Sequence, residues 1–198
     1  MRQASTPVRS LHKMGLGINL GGTLFGLVAL NPSVARVSDR RERGRVLNEA
    51  WARFQTIGTL AMGVTVATWR LGDLKEAESD IDPALAGIKN VLLGGALITS
   101  VASAIAGSRI ASQAPEQAPE GATPVESGAE PAPETPGEAA RSQRLSAFLG
   151  AATAVLVAGV LGLSSALEVR AVERWKRAEA PCLGSLAEPN PERLRRAR

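Results

Sequence analysis

The sequence predicts an all-α fold: a four-helix transmembrane bundle with a disordered Pro/Glu-rich loop between helices 3 and 4. The first observation is a set of four uncharged, apolar stretches of 17, 16, 19 and 23 residues, at positions 14–30, 54–69, 90–108 and 145–167. At ~1.5 Å of rise per residue, such stretches approach the ~30 Å thickness of a hydrocarbon core. The second observation is that the charged residues lie outside these stretches, whereas a soluble amphipathic helix would mix charged and apolar residues.

The composition excludes several kinds of functional site. The chain of 198 residues contains one histidine, His12, one cysteine, Cys182, and no tyrosine. A bis-histidine haem, a histidine-rich metal site and an intrachain disulfide all need more of these residues. We therefore expect no cofactor, no metal and no catalytic residues. Basic residues flank the apolar stretches, as topology signals do, so we also expect no nucleic-acid partner.

The first apolar stretch admits three interpretations. It is rich in glycine, contains Asn19 and follows a basic N-terminal segment, residues 1–13. Asn31-Pro32 is expected to end its helix, because proline disfavours the helical conformation in the preceding residue. The stretch either spans the membrane, re-enters it as a half-membrane loop, or belongs to a signal peptide cleaved after the small residues at 33–35.

Residues 31–53 are expected to lead into the second span along the membrane surface. A helix start is predicted at Ser38 or Asp39, whose side-chain oxygens can cap free amides. The second span ends in a tryptophan followed by an arginine, a pair that suits the headgroup region. The residues expected at the interface, or in contact with a ligand, are Asn19, Asn48, Trp51, Arg53, Trp69 and Arg70.

The connection between spans two and three, residues 70–89, is net acidic. Its carboxylates lack the spacing of a calcium-binding loop, so we expect no metal there. Asp82-Pro83 predicts the start of the third helix, with the aspartate as the cap and the proline in the first turn.

Small residues recur at intervals of four in the third and fourth spans. In a membrane, a stripe of small residues lets another helix approach closely, so both stripes are predicted helix-packing surfaces. They are Gly95, Thr99, Ser103 and Gly107 in the third span, and Gly150, Ala154, Ala158, Gly162 and Ala166 in the fourth. Whether they contact each other or a second copy of the chain is open at this point.

The composition divides the chain into four parts. Residues 1–111 form the membrane domain with helices 1–3. Residues 112–140 are rich in Pro, Glu, Ala and Gly, and we expect them to be a disordered linker. Residues 141–178 form the fourth transmembrane helix with its extension, and residues 179–198 are a basic tail.

The expected location is the inner membrane of a bacterium, with the lipid bilayer as the first partner. Four spans place both termini on one side, and the positive-inside rule favours the cytoplasm for that side. Arginine outnumbers lysine by 19 to 4, which is typical of a GC-rich bacterial genome.

The glycine-rich first helix, Asn31-Pro32 after it, and Asn48 and Trp51 before the second helix form a recognisable arrangement over residues 14–107. It resembles the small four-helix bacterial integral membrane proteins of unknown function, including the anthrone-oxygenase-like group. In place of the histidine that this group carries shortly after the tryptophan, the chain has Arg53, Phe54 and Gln55. The resemblance therefore implies the architecture and no oxygenase activity.

Three functions are compatible with these patterns. The first is a non-enzymatic membrane protein that acts through helix–helix association, including a homo-oligomer, or by scaffolding a partner. The second is a small-molecule transporter or carrier that works as an oligomer, although the spans contain no ionisable residue of the kind that transporters use. The third is a cofactor-free membrane enzyme with Asn48, Trp51, Arg53 and Arg70 near its site. A hydrophobic ligand enclosed between the helices would fit each of them.

Overall fold

The computed structural model describes residues 5–72, 74–112 and 122–187. Within these ranges the fold is all-α, as predicted, with one isolated β-bridge between Val125 and Pro131. The helices are α1 (Thr6–Arg36), α2 (Arg40–Leu71), α3 (Leu74–Ile81), α4 (Pro83–Ser112) and α5 (Gly137–Ala187).

The four long helices form two antiparallel pairs. In the first pair, Gly15 and Gly26 of α1 lie against Ala61 and Trp51 of α2. In the second pair, α4 and α5 pack along most of their length, and Leu92 of α4 lies against the backbone of α5. Contacts between α1 and α5 join the two pairs into one bundle, with the short α3 packed across α4 at one end.

The core of the bundle is apolar and draws on all four long helices. Leu16 of α1, Met62 of α2, Leu93 of α4, and Val157 and Val160 of α5 are each at most 4% exposed. Burying side chains of this kind contributes roughly 1.5–3 kcal/mol each in water. Within a bilayer, close packing of these side chains takes over that role.

Three helices are long and apolar enough to cross a membrane: Thr6–Arg36, Pro83–Ile110 and Gly137–Ala178. Their outward faces are apolar as well, since Val28, Val91 and Val155 each remain 72% exposed. A soluble bundle would cover large apolar faces on this scale, so the three helices indicate a membrane protein.

The second predicted span, residues 54–69, lies in α2, which is not among these three helices. Gln55 and the threonines at 56, 59, 65 and 68 dilute its apolar content. The described residues therefore contain three candidate membrane spans, whereas the sequence predicts four.

Helix α1 does not end at Asn31-Pro32, which corrects the prediction. It continues to Arg36 through a π-helical turn at Gly26–Leu30, in which the N–H of Asn31 donates to the carbonyl oxygen of Gly26 five residues earlier. The wider turn places Pro32 at the start of a new α-helical segment, Asn31–Ser33, where its missing N–H is not required.

Both predicted helix starts are confirmed. Oδ1 of Asp39 accepts hydrogen bonds from the backbone N–H groups of Arg41 and Glu42, at 2.8 and 2.9 Å. These amides, with Glu42 the stronger contributor, lower the pKa of the Asp39 carboxyl. Oδ1 of Asp82 caps α4 in the same way, accepting from Ala84 and Leu85 at 3.0 Å.

Residues 122–136 form a folded loop, so this part of the predicted disordered linker 112–140 is ordered. The N–H of Val125 donates to the carbonyl oxygen of Arg40 over 3.1 Å, and Thr135 Oγ1 donates to that of Pro124 over 2.6 Å. Thr123 and Val125 are buried against the helices. The segment has little apolar surface of its own, but the ends of α1 and α2 supply a surface on which it packs.

Helix α5 is longer than the predicted 141–178, because it begins at Gly137 and extends to Ala187. Residues 113–121 of the predicted linker and 188–198 of the predicted basic tail lie outside the described residues.

Candidate functional site

A cavity of about 330 Å³ lies between α1, α2, α4 and α5, with the loop 122–136 along one end. Its volume falls in the range of about 300–1,000 Å³ that is typical of pockets for small molecules. Polar and apolar residues both line it, and all four long helices contribute.

Two aromatic residues of α2 form one wall of the cavity because two glycines of α1 make room for them. Built Cβ atoms on Gly22 and Gly26 would collide with the rings of Phe54 and Trp51 respectively. The two rings meet edge to face, with their centroids 5.8 Å apart. The indole N–H of Trp51 donates to Oδ1 of Asn31 over 3.2 Å, which fixes the orientation of the ring.

The opposite wall carries hydroxyl groups that pair between α4 and α5. Thr153 Oγ1 donates to Thr99 Oγ1 over 2.8 Å, and the Ser103 and Ser146 hydroxyls lie 3.2 Å apart. On α1, the amide of Asn19 donates back to the carbonyl oxygen of Gly15. These groups therefore satisfy much of their hydrogen-bonding capacity within the protein.

The loop end of the cavity is held by backbone contacts. Gly44 of α2 has no room for a Cβ atom, because the carbonyl oxygen of Thr123 occupies that position. The N–H of Gly128 donates to the carbonyl oxygen of Asn31 over 3.4 Å. Arg43, largely buried, donates to the carbonyl oxygen of Glu126 at 3.0 Å and pairs with its carboxylate. The loop thereby joins the ends of α1 and α2.

Gln143, near the start of α5, is the one cavity residue in the described part of the chain with a buried side-chain atom that lacks a partner. Its Nε2 donates to the carbonyl oxygen of Ser127 over 2.8 Å, whereas its Oε1 is buried and accepts no hydrogen bond. The residue is 5% exposed. Leaving a buried acceptor without a hydrogen bond costs about 1–3 kcal/mol of folding stability. A donor from outside the protein would therefore bind favourably to this atom.

The cavity is electrically neutral along its described lining, which contains no Asp, Glu, Lys, Arg, His or Cys. A charged ligand would have to leave water without a counter-charge in this wall. Residues 5–72, 74–112 and 122–187 also contain no group of three or more His, Cys, Asp or Glu residues arranged to hold a metal ion.

The six residues predicted at an interface or a ligand fall into two groups. Asn19, Asn48 and Trp51 line the cavity together. Arg53 points outward and pairs with Glu49, and Arg70 is exposed at the far end of α2. Trp69 is fully buried at that far end, where its indole N–H donates to Asn90 over 3.3 Å.

The predicted stripe of α4 faces α5. A Cβ atom on Gly95 would lie 3.4 Å from Leu156, and Thr99 and Ser103 make the hydroxyl contacts described above. Gly107 lines the cavity.

The predicted stripe of α5 divides between two environments. Gly150 lines the cavity and Ala154 is buried. Ala158, Gly162 and Ala166 are exposed on the outer surface of this chain. The α5 face inside the bundle is instead formed by Val157, Val160, Ser164 and Leu167.

A buried ion pair at the opposite end of the bundle was missed by the sequence analysis. Nζ of Lys89 lies 2.9 Å from both carboxylate oxygens of Glu78 and 4.3 Å from the centroid of the Trp69 ring. Burial raises the pKa of the Glu78 carboxyl, and the positive charge of Lys89 opposes that shift. His12 lies beside the same tryptophan, and its Nδ1 donates to the carbonyl oxygen of Thr65 over 3.0 Å.

The predicted apolar stretches contain no ionisable residue, but the longer helices that are candidate spans do. Helix α4 begins at Pro83, so Lys89 lies inside the candidate span Pro83–Ile110, and His12 lies inside Thr6–Arg36. The predicted apolar stretch starts at residue 90, so Lys89 lies just outside it. The signal in the sequence is the distance from Pro83 to Lys89, which puts the lysine nearly two turns into the helix.

Comparisons of the chain with protein-family models, with curated proteins and with solved structures give no match.

Proposed function

We propose that this chain is a multi-pass integral membrane protein that binds a small, uncharged, lipid-soluble molecule in the cavity between its helices, without catalysing a reaction. The observation that carries the proposal is the cavity itself, with its neutral described lining and its aromatic wall. Apolar pockets with a few convergent polar groups are typical of ligand sites.

The absence of ionisable side chains from the described lining favours binding over chemistry. General acid–base and nucleophilic catalysis need a titratable or activated group within hydrogen-bond reach of the substrate. Asn48 and Trp51 reach the cavity, but Arg53 and Arg70, the charged members of the enzyme hypothesis, do not. Asn19, Asn48 and Trp51 are therefore proposed as ligand contacts.

The proposed architecture is a four-helix transmembrane bundle, in which α2 crosses beside α1. Its 32 residues would extend roughly 48 Å, which is ample for a crossing. The hydroxyls of Thr56 and Thr68 donate to carbonyl oxygens one turn earlier, so they can face lipid at little cost. An antiparallel bundle places both termini on one side, and we propose the cytoplasmic side of a bacterial inner membrane.

Transport or carriage of the ligand is the second candidate function. The observation that favours it is the Lys89–Glu78 pair, in which Lys89 lies within a candidate span and Glu78 lies just before it. Ionisable residues within membrane spans are energetically costly and often mark functional sites. We propose that an oligomer forms through the outward stripe of Ala158, Gly162 and Ala166, where small side chains permit close approach.

A pair of glycine-to-leucine variants on α4 tests binding in the cavity. Built Cβ atoms on Gly107 and Gly94 both point into open space, but only Gly107 lines the cavity. Native mass spectrometry of the detergent-solubilised protein would measure the binding of dodecan-1-ol, with dodecyltrimethylammonium as the charged control.

We expect saturable one-to-one binding of the alcohol to the wild type and to Gly94→Leu, loss of binding in Gly107→Leu, and weak binding of the cation throughout. Equal binding of the alcohol to both variants, or equal binding of the alcohol and the cation to the wild type, would refute the proposal.

A further inference from the structure

The amide of Gln143 has a fixed orientation. A carbonyl oxygen only accepts hydrogen bonds, so the side-chain atom that lies 2.8 Å from the Ser127 carbonyl oxygen must be the amide nitrogen. The amide oxygen is therefore the atom left unpartnered, and exchanging the two atoms would break the one hydrogen bond that the group makes. The chain presents a buried acceptor, and no donor, at this point.

The surroundings of this acceptor restrict its partner. The described lining of the cavity has no charged side chain, which disfavours an ammonium or guanidinium group as the donor. The neighbouring wall is apolar and aromatic, with Leu47 and Trp51 on α2. A partner must therefore combine a neutral donor with an apolar body.

Asn48 is a second polar residue of the cavity with unused hydrogen-bonding capacity. It lines the same cavity, is half-buried, and makes no side-chain hydrogen bond among the described residues. Its amide can donate and accept hydrogen bonds, so it is available to a polar group of a ligand in the cavity. A hydroxyl group matches this arrangement, because it donates once and accepts as well.

We propose that the ligand of the cavity is a lipid alcohol whose hydroxyl donates to Oε1 of Gln143, with its hydrocarbon part along the aromatic wall. This inference rests on the proposed function, since it names the ligand class of the same cavity. Ketones, esters and ethers only accept hydrogen bonds, so they leave Oε1 unsatisfied and bind more weakly. Gln143 is the residue that determines this specificity.

A matched pair of probes tests the inference by native mass spectrometry: dodecan-1-ol and its methyl ether, which cannot donate. The wild type is expected to bind the alcohol about tenfold more tightly than the ether. In Gln143→Leu this preference disappears, because the variant removes the acceptor at similar volume. A circular dichroism spectrum of the variant that matches that of the wild type shows that the helical bundle remains folded.

The outcomes separate the two proposals. Equal affinities of the wild type for alcohol and ether overturn the assignment of a lipid alcohol and leave the binding function standing. A preference for the alcohol that survives in Gln143→Leu overturns the role of Gln143. Binding of neither probe to the wild type overturns the binding function itself.

Discussion

Removing one partner of the buried Lys89–Glu78 pair should destabilise the protein far more than removing one partner of an exposed pair of the same chemistry. The chain offers the comparison directly. The buried pair has side-chain exposures of 0% and 4%, and the pair Lys13–Glu168 has exposures of 40% and 36%. Nζ–Oε distances are similar, at 2.9 and 2.6 Å, so burial is the main difference.

The expected magnitudes follow from burial. Lys89→Met leaves the Glu78 carboxylate buried without a counter-charge, which costs about 3–5 kcal/mol of unfolding free energy. It also removes the contact with the Trp69 ring, worth up to about 2 kcal/mol when desolvated. Lys13→Met should cost about 0–1 kcal/mol, because water screens the exposed pair.

Thermal unfolding of each variant in the same detergent micelles measures the difference. For a chain of this size, each kcal/mol shifts Tm by about 2–4 °C, so Lys89→Met should lower Tm by roughly 6–28 °C and Lys13→Met by less than about 4 °C. The double variant Lys89→Met/Glu78→Gln should be more stable than Lys89→Met alone, because no unpaired charge remains. Equal Tm values for the two lysine variants, or additive losses in the double variant, would refute this reasoning.

Three further predictions concern the loop, the helix cap and the outer surface. The Cβ atom in Gly44→Ala should displace Thr123 and detach the loop, so limited proteolysis should cleave the loop faster. In Gly63→Ala the Cβ atom meets open space. This control should stabilise α2 by up to about 1 kcal/mol. Because backbone amides hold the pKa of Asp39 below its ordinary 3.8, stability from this cap is lost as the pH falls through that lowered pKa. Hydrogen exchange at the start of α2 should show this loss in the wild type and not in Asp39→Asn. Ala158→Leu should lower the oligomer fraction in analytical ultracentrifugation without changing Tm; an unchanged fraction would exclude the α5 stripe as an interface.

The helices and their starts could be predicted because those signals are local. Asp39 and Asp82 cap free amides within three residues of themselves, and apolar runs identify three helices regardless of what they contact. The end of α1 was placed wrongly for the same reason. Pro32 by itself predicts the end of the helix. The helix continues because a π-helical turn forms over Gly26–Leu30, and the proline does not signal this turn.

The site could be predicted only in part because its contacts join distant positions. Asn19, Asn48 and Trp51 were identified as candidate ligand contacts, since amides and tryptophans beside apolar stretches are conspicuous. Gln143 was not, because its significance depends on Ser127, 16 residues earlier, in a segment whose composition predicts disorder. Composition describes what a segment can bury by itself, and this loop folds on surfaces contributed by other elements.

The bundle has a polar cluster at each end, and the two clusters differ in what surrounds them. At one end, Lys89 pairs with Glu78 and lies over the Trp69 ring, and Nε2 of the neighbouring His12 is buried without a hydrogen-bond partner. Such a cluster fixes α3 and α4 against α2. At the other end, the helices enclose the cavity, and the glycines of α1 lie against aromatic rings rather than against backbone. Oε1 of Gln143 is buried there and accepts no hydrogen bond. A buried acceptor that lacks a partner costs stability until a donor reaches it, and Gln143 lines a cavity that a ligand could enter, so we propose that ligand specificity resides in the cavity.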